Sequence, residues 1–430
     1  MKLQQWYTLR GAGYILKRVT ALLGRYGIAP TKAARRVVEG VDWLAELGCA
    51  PTFPVPARVV QRHPHYFHRL QDAGVEISVH GYDHVALAEY PPAEASNQLI
   101  KAVEVFARHE IESHGFRCPY LSCTSELIEA LPEGVFGYSS NRAIEWDVVP
   151  AADEPAAQPE IAKVLHSVYK PASAGEMVSV PSVQSNIVEI PVSLPDDLEL
   201  HDARRLDPVS MGEVWSQVLA RTHQRGEMFV LMYHPELMVE CRQPLSMVLN
   251  RASRLLPKVW IARLRDISSW WREKAGFSAD IQSRPDGLHL TFLFSERATI
   301  LIRNLPAHES TRPWDGVYSQ HVGSELDVPA EPRPLLGLYP GAPAHTVRFL
   351  REQGYLLDSG ETASRCAIYL DEKILSQLSS QVQLVEFIEK SPGPLVRYGR
   401  WPDGAKSALS ITGDLDALTL WDYATRLFIR

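Results

Sequence analysis

The sequence is poor in the features that mark secreted and membrane-spanning proteins. It has five cysteines in 430 residues, odd in number and scattered, which argues against a disulfide framework and favours a reducing compartment. It has no apolar run of ~18 residues that would predict a transmembrane helix. Basic residues interrupt the apolar stretches near the N-terminus, so no signal peptide is predicted. We therefore expect a cytoplasmic protein.

Acidic residues are missing from the beginning of the chain. Residues 1–38 contain several lysines and arginines but no acid, Glu39 is the first carboxylate and Asp42 the first aspartate. This basic segment fits either a solvated helix face or contact with an anionic membrane surface or a phosphate-bearing substrate. The net charge of the whole chain is -7, which argues against a nucleic-acid partner.

Hydrophobic periodicity predicts alternating strands and helices over the first 275 residues. The clearest predicted strands are 52–55, 75–79, 113–117, 187–192 and 228–232, and the clearest helices are 33–47, 58–73, 92–109, 209–224 and 257–275. Segment 148–185 has weak periodicity and is predicted to be a long loop at the rim of a site. Such alternation indicates an α/β barrel or a layered sheet, in which chemistry takes place at the carboxyl ends of the strands.

Two histidines and two distant aspartates form a candidate metal site. His80 and His84 are four residues apart, directly after a predicted strand, and Asp414 and Asp416 follow a predicted strand at 408–412. Two histidines and one carboxylate are a ligand set that hydrolytic enzymes use for a divalent metal. An isolated pair of histidines at this spacing is common and is usually structural. The far end of the chain is expected to close the site, because no acidic pair precedes the histidines.

The motifs together resemble those of the NodB-type polysaccharide deacetylases, carbohydrate esterase family 4. Asp414-Leu415-Asp416 is similar to the acidic motif of that family, His80 and His84 match its His-x-x-x-His motif, and Arg117-Cys118-Pro119-Tyr120 matches its Arg-x-Pro-Tyr motif. His234, in Leu231-Met232-Tyr233-His234, fits the late Leu-x-His motif loosely, with one extra residue. The resemblance covers about residues 20–275 and 401–425 and implies a distorted (β/α) barrel that carries a divalent metal.

The order of the motifs departs from the family pattern. Members of the family begin with the acidic motif, whereas this chain ends with it, as a circular permutation would produce. The predicted fold is therefore a NodB-type barrel, mainly residues 1–280, whose first strand comes from residues 400–430, with a small inserted α/β domain at 281–399. Three alternatives stay open: a last strand that docks into a neighbouring subunit in a homodimer, the start of a truncated second domain, or an incomplete and inactive barrel.

The resemblance implies a role for each motif residue. Asp416, His80 and His84 would bind the metal, with zinc as the first expectation and iron, cobalt, nickel or manganese as alternatives. Asp414 would be the base that deprotonates a water on the metal, Arg117 would hold Asp414, and the Tyr120 amide would bind the oxyanion. His234 would be the general acid, and Asp197 would either orient a catalytic group or form a turn.

The function implied is metal-dependent removal of an N-acetyl group from an amino sugar or glycan. Two alternatives remain at this point: hydrolysis of another non-peptide, cyclic amide, and a non-catalytic carbohydrate-binding or scaffold protein.

Overall fold

A computed structural model of the chain describes residues 31–149, 159–306 and 310–426. Part of the basic N-terminal segment, and with it part of the predicted membrane or phosphate contact, lies outside these residues. Among the described helices, none combines the length and apolar character needed to cross a membrane.

A large, mostly parallel sheet forms the first part of the molecule. Its strands are Thr52–Val55, Glu76–Val79, Gly115–Phe116, Tyr138–Ser139, Ala143–Glu145, Ala172–Ser173, Ser182–Gln184, Ile187–Glu189, Val192–Leu194, Met228–Tyr233, Val259–Ile261 and Ser407–Gly413. The helices that cover it are Thr31–Glu46, Ala57–Arg62, Pro64–Asp72, Pro92–Arg108, Ser125–Glu129, Pro159–Tyr169, Pro208–Arg225, Met238–Ala252, Leu264–Ala275 and Leu420–Arg426. The predicted α/β class is confirmed, and the sheet is curled, as the predicted distorted (β/α) barrel requires.

The C-terminal strand lies inside this sheet. Ser407–Gly413 pairs in parallel with Met228–Tyr233 on one side and with Thr52–Val55 on the other. All seven of its residues are buried, and Leu409 and Ile411 lie in the main apolar core. Burying side chains of this size contributes roughly 1.5–3 kcal/mol each. The strand is thus a central part of the barrel, as the sequence predicts.

The sheet is curled, and short chain segments connect strands that lie near its two opposite edges. Tyr138–Ser139 pairs at one end of the strand order, and Ala143–Glu145, only a few residues later, pairs at the other end. Ile187–Glu189 and Val192–Leu194 repeat this arrangement. We call this junction, residues 138–143 and 187–192, the seam. A predicted single strand at 187–192 is therefore two strands, because the chain changes partner at the seam.

The remaining residues form smaller sheets packed beside the barrel. Their strands are Ser278–Arg284, Gly287–Leu293, Ile300–Arg303, Thr311–Pro313, Ser319–His321, Glu325–Val328, Arg333–Leu338, Leu357–Asp358, Cys366–Leu370 and Leu395–Tyr398, and their helices are Ala344–Glu352, Glu372–Gln377 and Gln381–Lys390. The Val178 amide donates to Gln381 Oε1 at 3.2 Å, and the Val183 amide donates to Glu352 Oε1 at 3.0 Å. These bonds attach the region to the barrel.

Three further local predictions are wrong. The predicted loop at 148–185 contains helix Pro159–Tyr169. The predicted helix 257–275 begins as strand Val259–Ile261, which pairs with Ser407–Gly413, and becomes helical only from Leu264. The predicted helix 58–73 is divided at His63, because Pro64 cannot donate the hydrogen bond that a continuous helix needs.

Candidate metal and catalytic site

The three predicted metal ligands and the predicted base meet at the carboxyl edge of the sheet. His80 follows strand Glu76–Val79, and Asp414 and Asp416 follow strand Ser407–Gly413. The Asp414 amide donates to the Tyr233 carbonyl at 3.0 Å, and the Leu415 amide donates to the Pro54 carbonyl at 2.9 Å. Backbone bonds to two flanking strands therefore fix where both aspartates leave the sheet.

Gly413 is required for this approach. A Cβ atom at this position would lie 2.6 Å from Pro235 Cγ and 2.8 Å from Phe53 Cε1, which is closer than packed carbon atoms come. Because Gly413 has no side chain, the end of the strand can lie against both Pro235 and Phe53. Asp414 and Asp416 are thereby brought to the histidines.

The geometry of His80, His84 and Asp416 suits one divalent cation. Asp416 Oδ1 lies 3.5 Å from His80 Nε2 and 3.2 Å from His84 Nε2. One ligand atom from each residue falls within 4.8 Å of the other two. All three side chains are largely buried, so their polar atoms face one another in place of bulk water. The donor set fits a tetrahedral or facial site with room for further ligands.

A hydrogen bond fixes which nitrogen His80 presents to the site. Its Nδ1 lies 2.8 Å from the Arg117 carbonyl oxygen, which can only accept, so Nδ1 carries the proton. The lone pair of Nε2 therefore points toward Asp416. An outer hydrogen bond of this kind sets the tautomer and orientation of metal-binding histidines in general.

Arg117 holds Asp414, as predicted. This fully buried guanidinium donates from Nη1 to Asp414 Oδ1 at 2.6 Å and to Thr412 Oγ1 at 3.0 Å. It also donates to Ser140, from Nε to the carbonyl at 3.1 Å and from Nη2 to the hydroxyl at 3.0 Å. The Arg117 guanidinium is thus paired with one carboxylate, and its other donors bond neutral acceptors. These contacts fix its orientation.

Tyr120 lies in strained backbone beside the metal ligands. Its φ is 61°, in the left-handed region that non-glycine residues rarely adopt, and its ring packs edge-on against His84 with 4.7 Å between the ring centroids. Such strain persists only where the surroundings impose it, and it is frequent at active sites.

His234 forms a second pair, with Asp197, close enough to Asp416 for that carboxylate to affect the pKa of the histidine. His234 Nδ1 lies 2.8 Å from Asp197 Oδ1, and the His234 amide donates to Asp197 Oδ2 at 2.8 Å. Burial lowers the pKa of His234, but the Asp197 carboxylate, with a smaller effect of Asp416, outweighs burial and raises this pKa well above its ordinary value. Of the two roles open for Asp197, the structure shows the first kind of contact: Asp197 fixes the orientation of the His234 side chain.

The neighbouring carboxyl, Asp196, belongs to the same buried cluster. Burial, and then the charge of Asp197, raise the pKa of Asp196 to about 7. The Tyr169 hydroxyl donates to Asp196 Oδ2 at 2.9 Å. Tyr169 ends helix Pro159–Tyr169, so part of the segment predicted as a rim does reach the site.

Sequence reasoning identified the charged and imidazole side chains but missed their neutral partners. No role is predicted for Ser140, Asn141, Thr412 or Tyr169, although Tyr138-Ser139-Ser140-Asn141 also resembles the family, because single hydroxyls and amides do not indicate a function by themselves. The only available signal was position, since Ser140 and Thr412 lie at or near the carboxyl ends of strands.

Comparison with known proteins agrees with the motifs. Residues 30–133 match the family model described as polysaccharide deacetylase, a segment that holds His80, His84, Arg117 and Tyr120. The resemblance of this chain to the NodB-type polysaccharide deacetylases is thereby confirmed. No curated protein sequence matches the chain.

Solved structures give weaker likenesses. A Mycobacterium smegmatis protein assigned to the polysaccharide deacetylases is 21% identical, over 60% of this chain and 82% of its own, with a TM-score of 0.45. The allantoinase Puue is 17% identical, over 56% and 73% of the two chains, with a TM-score of 0.42. A family 4 carbohydrate esterase pseudoenzyme from Bacillus anthracis is 16% identical, over 56% and 62%, with a TM-score of 0.32.

Proposed function

We propose that this protein is a metal-dependent hydrolase that removes an N-acetyl group from an amino sugar or glycan. The observation that carries the proposal is the convergence, at one edge of one sheet, of a two-histidine, one-aspartate cluster with the pairs Asp414–Arg117 and His234–Asp197. The match of residues 30–133 to the polysaccharide deacetylases supports the choice of reaction.

His80, His84 and Asp416 would hold the metal. When bound there, a divalent metal such as zinc activates water and polarises the amide carbonyl as a Lewis acid. The chain itself supplies the proton transfers. Asp414, oriented by Arg117, accepts a proton from the attacking water, and the protonated His234, held by Asp197, donates a proton to the leaving amine.

The left-handed turn at Tyr120 would provide the third element of the reaction. A backbone amide directed at the developing oxyanion stabilises charge that is present only in the transition state. Proton removal, leaving-group protonation and oxyanion stabilisation are thereby divided among Asp414, His234 and Tyr120.

The first test is the metal content of wild type and Asp416→Ala after loading with zinc and desalting. We expect about one tightly bound zinc ion per wild-type chain and a large loss in Asp416→Ala, because the variant lacks one of three protein ligands. Asp403→Ala is the control, an aspartate of the same segment in an exposed turn. Equal zinc in both aspartate variants would rule out Asp416 as a ligand.

The second test is acetate release from N-acetylglucosamine oligomers by the zinc-loaded protein. Asp414→Asn should keep its zinc and lose about 10²–10⁴-fold in kcat, since it lacks the general base. Ring opening of allantoin without acetate release would favour a cyclic amide as substrate. Glycan binding that survives loss of both zinc and Asp414 would favour a non-catalytic protein.

A further inference from the structure

A buried glutamate occupies the seam behind the site. Glu189 ends strand Ile187–Glu189 and is 5% exposed. Its Oε1 accepts the Asn141 amide at 2.8 Å and the Arg142 amide at 2.7 Å, and its Oε2 accepts the Ser139 hydroxyl. The chain leaves one strand and joins another here, so these amides need a partner other than a strand neighbour.

The turn that Glu189 binds is also the turn that holds Arg117. The Ser140 carbonyl and hydroxyl accept two of the guanidinium bonds, and Asn141 Oδ1 accepts the Cys118 amide at 2.7 Å. Arg117 then donates to Asp414, and its carbonyl fixes His80. A continuous buried path of hydrogen bonds therefore joins Glu189 to both a proposed base and a proposed metal ligand.

We propose that Glu189 is a positioning residue that sets the orientation of Asp414 through residues 140–141 and Arg117. The proposal rests on the function proposed above. A carboxyl group suits the place because it offers two acceptor oxygens: one accepts two backbone amides, and the other accepts a hydroxyl. Its loss would let the turn move, and displacements of about 1 Å at a distance from the chemistry can cost about 10²-fold in rate.

Glu76 offers a matched control at the opposite edge of the sheet. It is equally buried, begins strand Glu76–Val79, and accepts the hydroxyls of Thr52 at 2.8 Å and Tyr138 at 2.7 Å and the Arg265 amide at 3.0 Å. The change Glu76→Gln therefore perturbs a comparable buried carboxylate without touching residues 140–141. If Glu189 has only a structural role, Glu189→Gln and Glu76→Gln should both lower Tm, and the two variants should have similar kcat values.

The experiment compares Glu189→Gln with Glu76→Gln in the full-length, zinc-loaded protein. We expect Glu189→Gln to lower kcat for acetate release about 10–100-fold with unchanged KM and zinc content, while Glu76→Gln stays within about twofold of wild type. In an Asp414→Asn background, Glu189→Gln should lower the remaining rate by less than about twofold, because both changes act on the same base. Full activity of Glu189→Gln, or independent effects in the double variant, would overturn the proposal.

Hydrogen exchange tests the coupling without activity. We expect the Cys118 amide to exchange at least about tenfold faster in Glu189→Gln than in wild type, since its acceptor Asn141 is released. Faster exchange confined to residues 139–142 would show that Glu189 supports only its own turn. If the wild type releases no acetate, the proposed function fails, and exchange at Cys118 still decides whether Glu189 positions residues 117–118.

Discussion

The pairing of His234 with Asp197 controls when His234 carries its proton. A general acid has to be protonated in the ground state, and an imidazole with an ordinary pKa would be largely neutral above pH 7. Because Asp197 bonds both the ring and the backbone amide, it raises the pKa of His234 and fixes its direction. The buried carboxylate thus extends the pH range in which the proposed acid is charged.

Asp197→Asn should move the basic limb of the pH profile of kcat/KM to lower pH by about 1–2 units. The basic limb shifts to lower pH because the charge of Asp197 raises the pKa of His234 in the folded protein. Without that charge, His234 loses its proton at lower pH. The measurement is acetate release by the zinc-loaded protein between pH 6 and 10. Glu236→Gln, which removes a weaker charge acting on the same histidine, should give a smaller shift in the same direction. An unchanged basic limb in Asp197→Asn would exclude His234 as the acid.

Residue types with distinctive chemistry could be predicted, and their supports could not. His80, His84, Arg117 and the two aspartates were identified because their types and local spacings match a known set of motifs. Thr412, which receives a bond from Arg117, is 295 residues away in sequence. No local pattern predicts a partner at that distance, since the contact exists only after strand Ser407–Gly413 has entered the sheet.

At the scale of elements, the helix after the metal ligands is fastened by one aspartate. Asp422 accepts hydrogen bonds from the amides of Leu418 and Thr419 at the start of helix Leu420–Arg426. It also bonds Arg62 Nη1 at 2.8 Å and His63 Nε2 at 3.0 Å. Because Leu418 follows Asp416 by two positions, this attachment also restrains a proposed metal ligand.

Acid should weaken this attachment below pH 4. Burial raises the pKa of Asp422, but the bonds from His63 and Arg62 outweigh burial and hold the pKa at about 2. The unfolded carboxyl has a pKa near 3.9, so the stabilisation is complete above about pH 4 and is lost as pH falls toward 2. We expect Asp422→Asn to lower Tm at pH 6 and to flatten the fall of Tm between pH 4 and 2.

The measurement is a series of melting curves from pH 6 to pH 2 on the metal-free protein. Asp403→Asn, which removes a half-exposed pair with Arg297, should change Tm little at any pH. If Asp422→Asn loses stability in parallel with wild type across the whole acid range, Asp422 does not carry the low-pH transition.

Helices and strands were predicted well where the local sequence pattern determines the secondary structure. They were predicted poorly where pairing with a distant segment determines it. Val259–Ile261 continues a helical periodicity toward residue 275, yet its pairing with Ser407–Gly413 makes it a strand. The two apolar runs at 288–294 and 298–302 predict a hairpin by their local pattern, but Gly287–Leu293 pairs with Ser278–Arg284 and Glu325–Val328 instead. Here a local signal was available, since Pro285-Asp286-Gly287 marks a turn between Ser278–Arg284 and Gly287–Leu293.

For the whole molecule, the strand order explains how the last strand completes a site that begins near residue 80. Ser407–Gly413 lies between Thr52–Val55 and Met228–Tyr233, the place that a first strand of a (β/α) barrel would take. We propose that the chain is a circularly permuted deacetylase, and that residues 281–399 are an inserted domain. Ala33 and Ala417 pack in one small apolar cluster, so the beginning of the described chain and the residues that follow its last strand are neighbours in space.

A chain reconnected through this proximity should therefore keep the site. We expect a variant that runs from Asp286 to Arg430, through a flexible linker to Met1, and on to Pro285 to fold and bind zinc like wild type. Its new ends lie in an exposed turn, where chain breaks are best tolerated. The strand pairs around Ser407–Gly413 depend on packing and hydrogen bonds that this change leaves intact.

Zinc per chain, Tm and acetate release of the reconnected protein are the measurements. A control with the same linker and new ends between Ile411 and Thr412, inside the buried central strand, should fail to fold, because it cuts the strand that carries Asp414 and Asp416. Loss of zinc in the Asp286 variant with its fold preserved would mean that the native connection through residues 281–399 itself holds the last strand in register. Retention of zinc would mean that the register is set within the barrel, by Thr52–Val55 on one side and Met228–Tyr233 on the other.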